Sequence, residues 1–281
     1  MTPVLERAVR AVYRTCCPQP VRSTLRLQVE LLRGRAWAAI TLPPAGKSIL
    51  VLAPHMDDEV FGCGGTLAQA VQRGSHVTVA YLTDGRKGHP VLPPGTPASE
   101  IERIERDLVA VRKREASMAG RILGFGAPVF LDLPDKKLEV TATTVSAVAA
   151  VLRDVQPQMV FMPFLTDSHR DHWMTNCVFV EAARRARMAS DLSCWGYEVW
   201  APVVANRLVD VTAVIQRKID AMHVFESQLS QYDYARATLG LNSFRGLVTE
   251  RADAFAEAFY AADLEFYRRL WAKVVLQRHG D

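Results

Sequence analysis

The chain has 281 residues, 49% hydrophobic and 23% charged, the balance of an ordinary globular protein with a proper core, which excludes a disordered or fibrous chain. Its formal net charge of +4 is uneven: residues 1–46 hold seven Arg and two Glu, a net +5, which leaves the remainder at −1 and argues against nucleic acid as a partner of the main body. Cys16, Cys17, Cys63, Cys177 and Cys194 show no metal spacing and no secreted framework, no signal-peptide core stands at the N-terminus, and no apolar run approaches the ~20 residues of a transmembrane segment, so the expected compartment is the cytoplasm.

At the start of the chain Val4, Leu5, Ala8, Val9, Val12 and Tyr13 share one helical face, with Arg7, Arg10 and Arg14 opposite. This basic N-terminal helical extension, residues 1–46, is expected to dock on the domain or on another copy in a homo-oligomer; a weak membrane-surface association is the other use of the pattern. Pro43, Pro44 and Gly46 mark the junction to the main domain, residues 47–281. Ser48–Ala53 (SILVLA) is a continuous apolar run, as expected of a parallel strand covered on both faces.

A helix over Gly64–Arg73 ends at Gly74, and His76–Thr83 is β-branched and apolar, which completes a β-α-β unit. Arg86–Ala98, rich in proline and glycine, reads as a loop long enough to form a lid. Ser99 is expected to cap a helix running to about Leu123; strands at Val129–Leu131 and Met159–Phe164 follow, with a helix at about Thr143–Asp154 between them. Edge strands at Tyr197–Trp200 and Arg207–Val211, then helices near Val214–Phe225 and Arg251–Ala272, complete an α/β chain with an open, mostly parallel sheet.

The segment Ala53-Pro54-His55-Met56-Asp57-Asp58-Glu59 follows the first long strand, where open α/β sheets place their ligands. His55 and Asp58 are three residues apart and can reach one cation, while Asp57 points elsewhere. Three acidic side chains at the end of a buried strand call for a compensating positive charge, and a metal supplies it economically. After another strand, Asp167-Ser168-His169-Arg170-Asp171-His172 repeats the spacing with His169 and His172. A set of His55, Asp58 and His172 leaves an open coordination position, the arrangement of catalytic zinc. Asp57 is then placed to take a proton from water attacking a carbonyl. A protonated His169 is placed to stabilise the oxyanion or protonate the leaving nitrogen, and Asp171 to orient a histidine.

The motifs APHMDDE, GCGGTLA, LTDG, REASMAG and HRDH, followed by Tyr197-Glu198-Val199-Trp200, Lys218, Ser227-Gln228 and Ala256-Glu257-Ala258-Phe259, resemble the PIG-L or LmbE-like deacetylases in order over roughly residues 48–260. The resemblance implies a Rossmann-like three-layer fold and hydrolysis of the N-acetyl group of a glucosamine-type sugar or glycoconjugate. It implies Zn2+, or another divalent metal such as Fe2+, on His55, Asp58 and His172, with Asp57 as general base and His169 assisting. It also carries Arg112 and Asp135 over as substrate-side residues. Two positions depart from the pattern: Met56 stands where the family has proline, and Arg86 stands where a glutamate is usual, beside the expected sugar pocket.

Two other readings compete. Gly62, Gly64 and Gly65, with Asp84 about twenty residues on, imitate a dinucleotide fingerprint, but Leu67 replaces its last glycine and three carboxylates face the place of a pyrophosphate. A non-catalytic sugar-binding or scaffold protein of the same fold is the other; bound metal and acetate release distinguish it.

Overall fold

The structure, a computed structural model, describes residues 38–278 together with Val29; the expected N-terminal amphipathic helix, Cys16 and Cys17 lie outside the described residues. In chain order the elements are β1 (Ala39–Ile40), β2 (Ser48–Ala53), α1 (Asp58–Gln72), β3 (His76–Thr83), α2 (Ala98–Leu123), β4 (Val129–Leu133), α3 (Ala142–Val155), β5 (Met159–Pro163), α4 (Arg170–Arg185), β6 (Ser193–Tyr197), β7 (Arg207–Asp210), α5 (Ile215–His223), α6 (Glu226–Leu229), α7 (Tyr234–Gly246), β8 (Ala256–Asp263) and α8 (Leu264–Arg278).

The strands form one sheet in the order β1-β7-β8-β6-β5-β2-β3-β4. All pairings are parallel except those of β8 with β6 and β7. The alternation along β2 explains its unbroken apolar run. Leu50 and Leu52 join one core with Val148 and Leu152 of α3, Val178 and Phe179 of α4 and Tyr267 of α8. Ile49, Val51 and Ala53 join a second core with Val60 and Leu67 of α1, Leu123 of α2 and Met222 of α5. Helices therefore cover both faces, and the fold is a three-layer α/β sandwich.

β2 passes the chain outward through β3 to β4, and β5 then returns to the other side of β2. The sheet thus has a switch point between β2 and β5, where the two outgoing loops diverge and leave a crevice. The registers Leu50↔Val160 and Val51↔Phe161 bring the two strand ends level, so the loops carrying His55 and His169 open over the same crevice.

Several elements depart from expectation. α1 begins at Asp58 rather than at Gly64, because its glycines are packing positions inside the helix. Ser99 is not the cap of α2; Pro97 precedes the helix and makes no side-chain cap, because its ring carries no hydrogen-bond acceptor. The strand expected at Tyr197–Trp200 is β6, Ser193–Tyr197, and it lies between β5 and β8 rather than at an edge. Ala256–Asp263 is a strand within the stretch read as one helix; its Ala-rich composition favours a helix, but burial between β6 and β7 overrides that preference. β1 pairs with β7, so residues ahead of the expected junction contribute to the sheet.

Candidate metal centre and its cavity

The turn after β2 separates the two aspartates by backbone geometry. Asp57 precedes α1 with φ 149°, a conformation that costs a non-glycine residue free energy and is held by its surroundings. Asp58, in the first helical turn, folds back: its Oδ2 accepts from the His55 backbone N–H at 2.9 Å and lies 3.1 Å from His55 Nδ1. The same oxygen lies 3.2 Å from His172 Nε2. One carboxylate oxygen therefore joins a histidine from the turn after β2 to one from the first turn of α4.

His172 is fully buried in the first turn of α4, and neither ring nitrogen makes a hydrogen bond of acceptable angle. Asp167 Oδ2 stands 3.3 Å from Nδ1, which fixes the ring and leaves Nε2 aimed at Asp58. A buried imidazole nitrogen without a proper hydrogen bond, facing a carboxylate and a second imidazole, fits a cation. Among the described residues, His55, His169 and His172 bring donor atoms within 4.8 Å of one another, and so do His55, Asp135 and Asp171. The second set surrounds the far side of the His55 ring, where Nε2 lies 3.3 Å from Asp135 Oδ1 and 3.6 Å from Asp171 Oδ2. Those two carboxylates suit an orienting role, since each also accepts a backbone N–H, from Lys87 at 2.8 Å and from Lys136 at 2.7 Å respectively.

The electrostatics describe a site that attracts positive charge. Burial alone would lower the His55 pKa, but Asp135, Asp171 and Asp58 outweigh it and hold the pKa well above its ordinary value. Burial opposes protonation of His172 as well, yet Asp58 and Asp167 raise its pKa to about 9. Burial pushes Asp58 up, while His172 and His55 pull it well below the usual carboxylate range. The histidine protons thus occupy the place of cationic charge that a divalent ion can supply in their stead.

Asp57 follows a different rule. Burial raises its pKa to about 6 against the opposing pull of Arg112, whose Nη2 lies 3.2 Å from Asp57 Oδ2. Arg112 is itself buried and donates to the carbonyls of Met56 and Gly85 at 2.9 and 3.1 Å. The arginine expected on the substrate side therefore braces the turn that carries Asp57. His169 caps α4, its Nδ1 accepting from the Asp171 N–H at 3.2 Å, which assigns the remaining ring proton to Nε2. Burial, with His55 and His172 nearby, lowers its pKa, so the neutral ring is favoured over the protonated one expected from the sequence.

A cavity of about 800 Å³ opens from this centre and is lined by His55, Asp57, Asp58, Arg112, Asp135 and His169. Arg86 is outside the lining: its guanidinium turns to Asp84 at 2.7 Å, and Lys87 takes the position facing the cavity. The far wall carries Trp200, Tyr232 and Tyr234, with Trp200 edge-on to Tyr234 at 5.6 Å. The sequence motifs give no role to these aromatics or to Asp167, although Asp167 stands in the same hexapeptide as His172. Asp167 also holds the Trp200 backbone N–H at 3.0 Å, linking the cavity wall to the buried histidine. The glycines that imitate a dinucleotide fingerprint lie inside α1. A Cβ at Gly62 would come within 2.2 Å of the Tyr197 ring and one at Gly65 within 3.2 Å of Glu257, so these two glycines serve helix–sheet contact rather than a pyrophosphate.

Residues 50–183 match the family described as PIG-L: GlcNAc-PI de-N-acetylase. Diacetylchitobiose deacetylase of Thermococcus kodakarensis is 28% identical over 199 residues, covering 66% of this chain and 71% of that protein. The 4-oxalmesaconate hydratase of Pseudomonas putida is 26% identical over 237 residues, covering 72% of this chain and 86% of that protein. The fold matches N,N'-diacetylchitobiose deacetylase from Pyrococcus horikoshii with a TM-score of 0.66 at 24% identity, over 78% of this chain and 85% of that one. The matched segment contains both strand-end loops, and with it His55, Asp57, Asp58, His169 and His172, so it is over the residues of the site that the chain is similar to the PIG-L, or LmbE-like, family.

Proposed function

We propose that the protein hydrolyses the N-acetyl group of a glucosamine-type sugar or glycoconjugate, releasing acetate and a free amine. The observation that carries this reading is the division of labour between adjacent aspartates. Asp58 is drawn into the two histidines, whereas Asp57 stands apart at the cavity with a pKa raised to about 6 by burial. A divalent cation, Zn2+ with Fe2+ as the alternative, would be held by His55, Asp58 and His172 and would supply Lewis-acid polarisation of the amide carbonyl and acidification of water.

The protein's own groups complete the reaction. Asp57, ionised at neutral pH, takes a proton from the attacking water as its oxygen bonds to the acetamide carbon. His169 donates its Nε2–H to the oxygen on which negative charge develops; the neutral ring suffices for this. When the carbon–nitrogen bond breaks, Asp57 returns its proton to the departing nitrogen and is ready to act again. Asp135 and Asp171 hold the His55 ring in place, and Arg112 holds Asp57.

The wall of Trp200, Tyr232 and Tyr234 alternates with the polar Gln228, Gln231 and Thr238, which suits a ring with one apolar face and hydroxyls at its edge. The hydratase relative supports a second reading, in which the same water-activating groups add water to a carbon–carbon double bond. A screen of N-acetylated amino sugars for acetate release, with mass spectrometry of the amine product, separates the two. Acetate release abolished in Asp57→Asn supports deacetylation. No acetate from any amino sugar by metal-loaded protein, with water added to an unsaturated carboxylic acid, supports hydration.

A further inference from the structure

Behind the cavity a fully buried ion pair is joined to the backbone of the helix that begins with Asp58. Lys218 of α5 and Glu257 of β8 are both inaccessible to solvent, with Nζ 2.6 Å from Oε1. The ammonium places its other two protons on the Phe61 carbonyl at 2.9 Å and on Asn242 Oδ1 at 2.8 Å, which uses all three. The Glu257 carboxylate accepts from two further N–H groups of α1, Gly65 through Oε1 at 2.9 Å and Thr66 through Oε2 at 2.7 Å.

Phe61 lies one turn beyond Asp58, and Gly65 and Thr66 a turn further on. Three backbone groups of α1 are thus addressed by two charged side chains from elements far away in sequence. This approach requires Gly65: a Cβ there would come 2.8 Å from Val211 and 3.2 Å from Glu257 Oε1. The glycine run has its explanation here, since it lets β8 and the segment after β7 come close enough for Glu257 to reach the helix.

A buried ion pair is a poor way to gain stability, because the desolvation of both charges offsets their attraction and an apolar pair of similar volume is often as stable. What an apolar pair cannot do is hold a carbonyl and two N–H groups of one helix at fixed positions. We infer that Lys218 and Glu257 are positioning residues that set the placement of α1, and through it the reach of Asp58 toward His172 and of Asp57 toward the substrate carbonyl. Asn242 also lines the cavity, so the wall formed by α7 and the helix of the metal centre share one ammonium group. Only the kinetic arm of the test below rests on the deacetylase reading; the metal-affinity arm does not.

The test compares the intact protein with Glu257→Gln and with the double variant Lys218→Met/Glu257→Gln, which leaves no charge unpaired in the core. Three quantities are measured on folded protein: thermal unfolding of the metal-free form, the Zn2+ dissociation constant by chelator competition, and kcat and KM on an acetylated amino sugar. The expected result is a double variant that unfolds cooperatively, binds Zn2+ at least about tenfold more weakly, as when residues behind metal ligands are altered, and loses more in kcat than in KM. Glu257→Gln, close in shape to the native residue, is expected to shift Zn2+ affinity in the same direction by a smaller factor. A pair with only a structural role lowers the unfolding temperature and leaves the Zn2+ dissociation constant of the folded variants within twofold of the parent; that outcome overturns the inference. If the parent protein releases no acetate, the deacetylase reading falls, while weaker Zn2+ binding by the variants still supports the positioning role.

Discussion

Arg112 Nη2 lies 3.2 Å from Asp57 Oδ2 and donates at 2.9 Å to the carbonyl of Met56, so one buried guanidinium fixes both the charge and the backbone of the turn carrying the proposed base. Burial raises the Asp57 pKa to about 6 and Arg112 opposes the rise. A base works only when ionised, so activity is lost as pH falls through that pKa; a bound cation pulls it down, placing the acid limb of kcat at or below about 6. In Arg112→Gln the limb is expected at higher pH. A pH–rate profile of the variant with an unmoved limb would falsify the pairing.

Asp57→Asn is expected to keep its metal and lose ~10²–10⁴ in kcat, the usual worth of a positioned base. His172→Ala is expected to lose metal and turnover together, since its Nε2 faces Asp58 at 3.2 Å. Metal content by elemental analysis, paired with acetate release, checks both; an Asp57→Asn protein stripped of metal would reassign that residue as a ligand.

Glu59 gives a prediction about stability. It is fully buried, accepts the Tyr81 hydroxyl, and burial raises its pKa from 4.5 to about 8. The folded state therefore binds this proton more tightly than the unfolded state. The resulting stability is present below the unfolded pKa near 4.5 and declines as pH rises to about 8. In metal-free protein, Glu59→Gln is expected to flatten the fall in unfolding temperature across that interval. An equally steep fall in the variant would assign the dependence to other groups.

Gly62→Ala tests close packing rather than chemistry. Its Cβ would meet Tyr197 Cδ2 at 2.2 Å, against a ring that is fully buried, and overpacking of this kind costs roughly 1–3 kcal/mol. Chemical denaturation reads the loss directly; a variant as stable as the parent shows that the ring of β6 can move.

Trp200→Ala addresses the substrate. If the exposed indole supports a sugar ring, its removal raises KM about tenfold with a smaller effect on kcat, in line with ~1.4 kcal/mol of lost contact. An unchanged KM across N-acetylated mono- and disaccharides would remove Trp200 from the binding surface.

The ligand loops were legible because their signals are local. SILVLA ends in APHMDDE and MVFMPF leads to HRDH, so strand and chemistry adjoin in sequence. The beginning of α1 was hidden by Gly62, Gly64 and Gly65, which weaken any helical pattern; the close approach of Tyr197 to Gly62 and of Val211 and Glu257 to Gly65 is tertiary. β8 was hidden for the same reason: Ala256, Glu257 and Ala258 suit a helix, and only insertion between β6 and β7 makes them a strand. The motif also places histidines without naming their partners. That Asp135 and Asp171 flank His55 while Asp167 flanks His172 depends on how three loops settle together over the crevice.

The pairing of β2 with β5 at Leu50↔Val160 has a consequence for folding. Asp58 and His172 stand at the exits of those two strands, and the chain between them includes β3, β4, α2 and α3. An ion held by both, as proposed, would close that long loop in the manner of a covalent cross-link, restricting the unfolded chain and penalising any slip of one strand along the other. The proposed centre would then double as a clasp for the middle of the sheet, and metal removal is expected to loosen β2 and β5 as a unit, read as faster amide exchange in both strands.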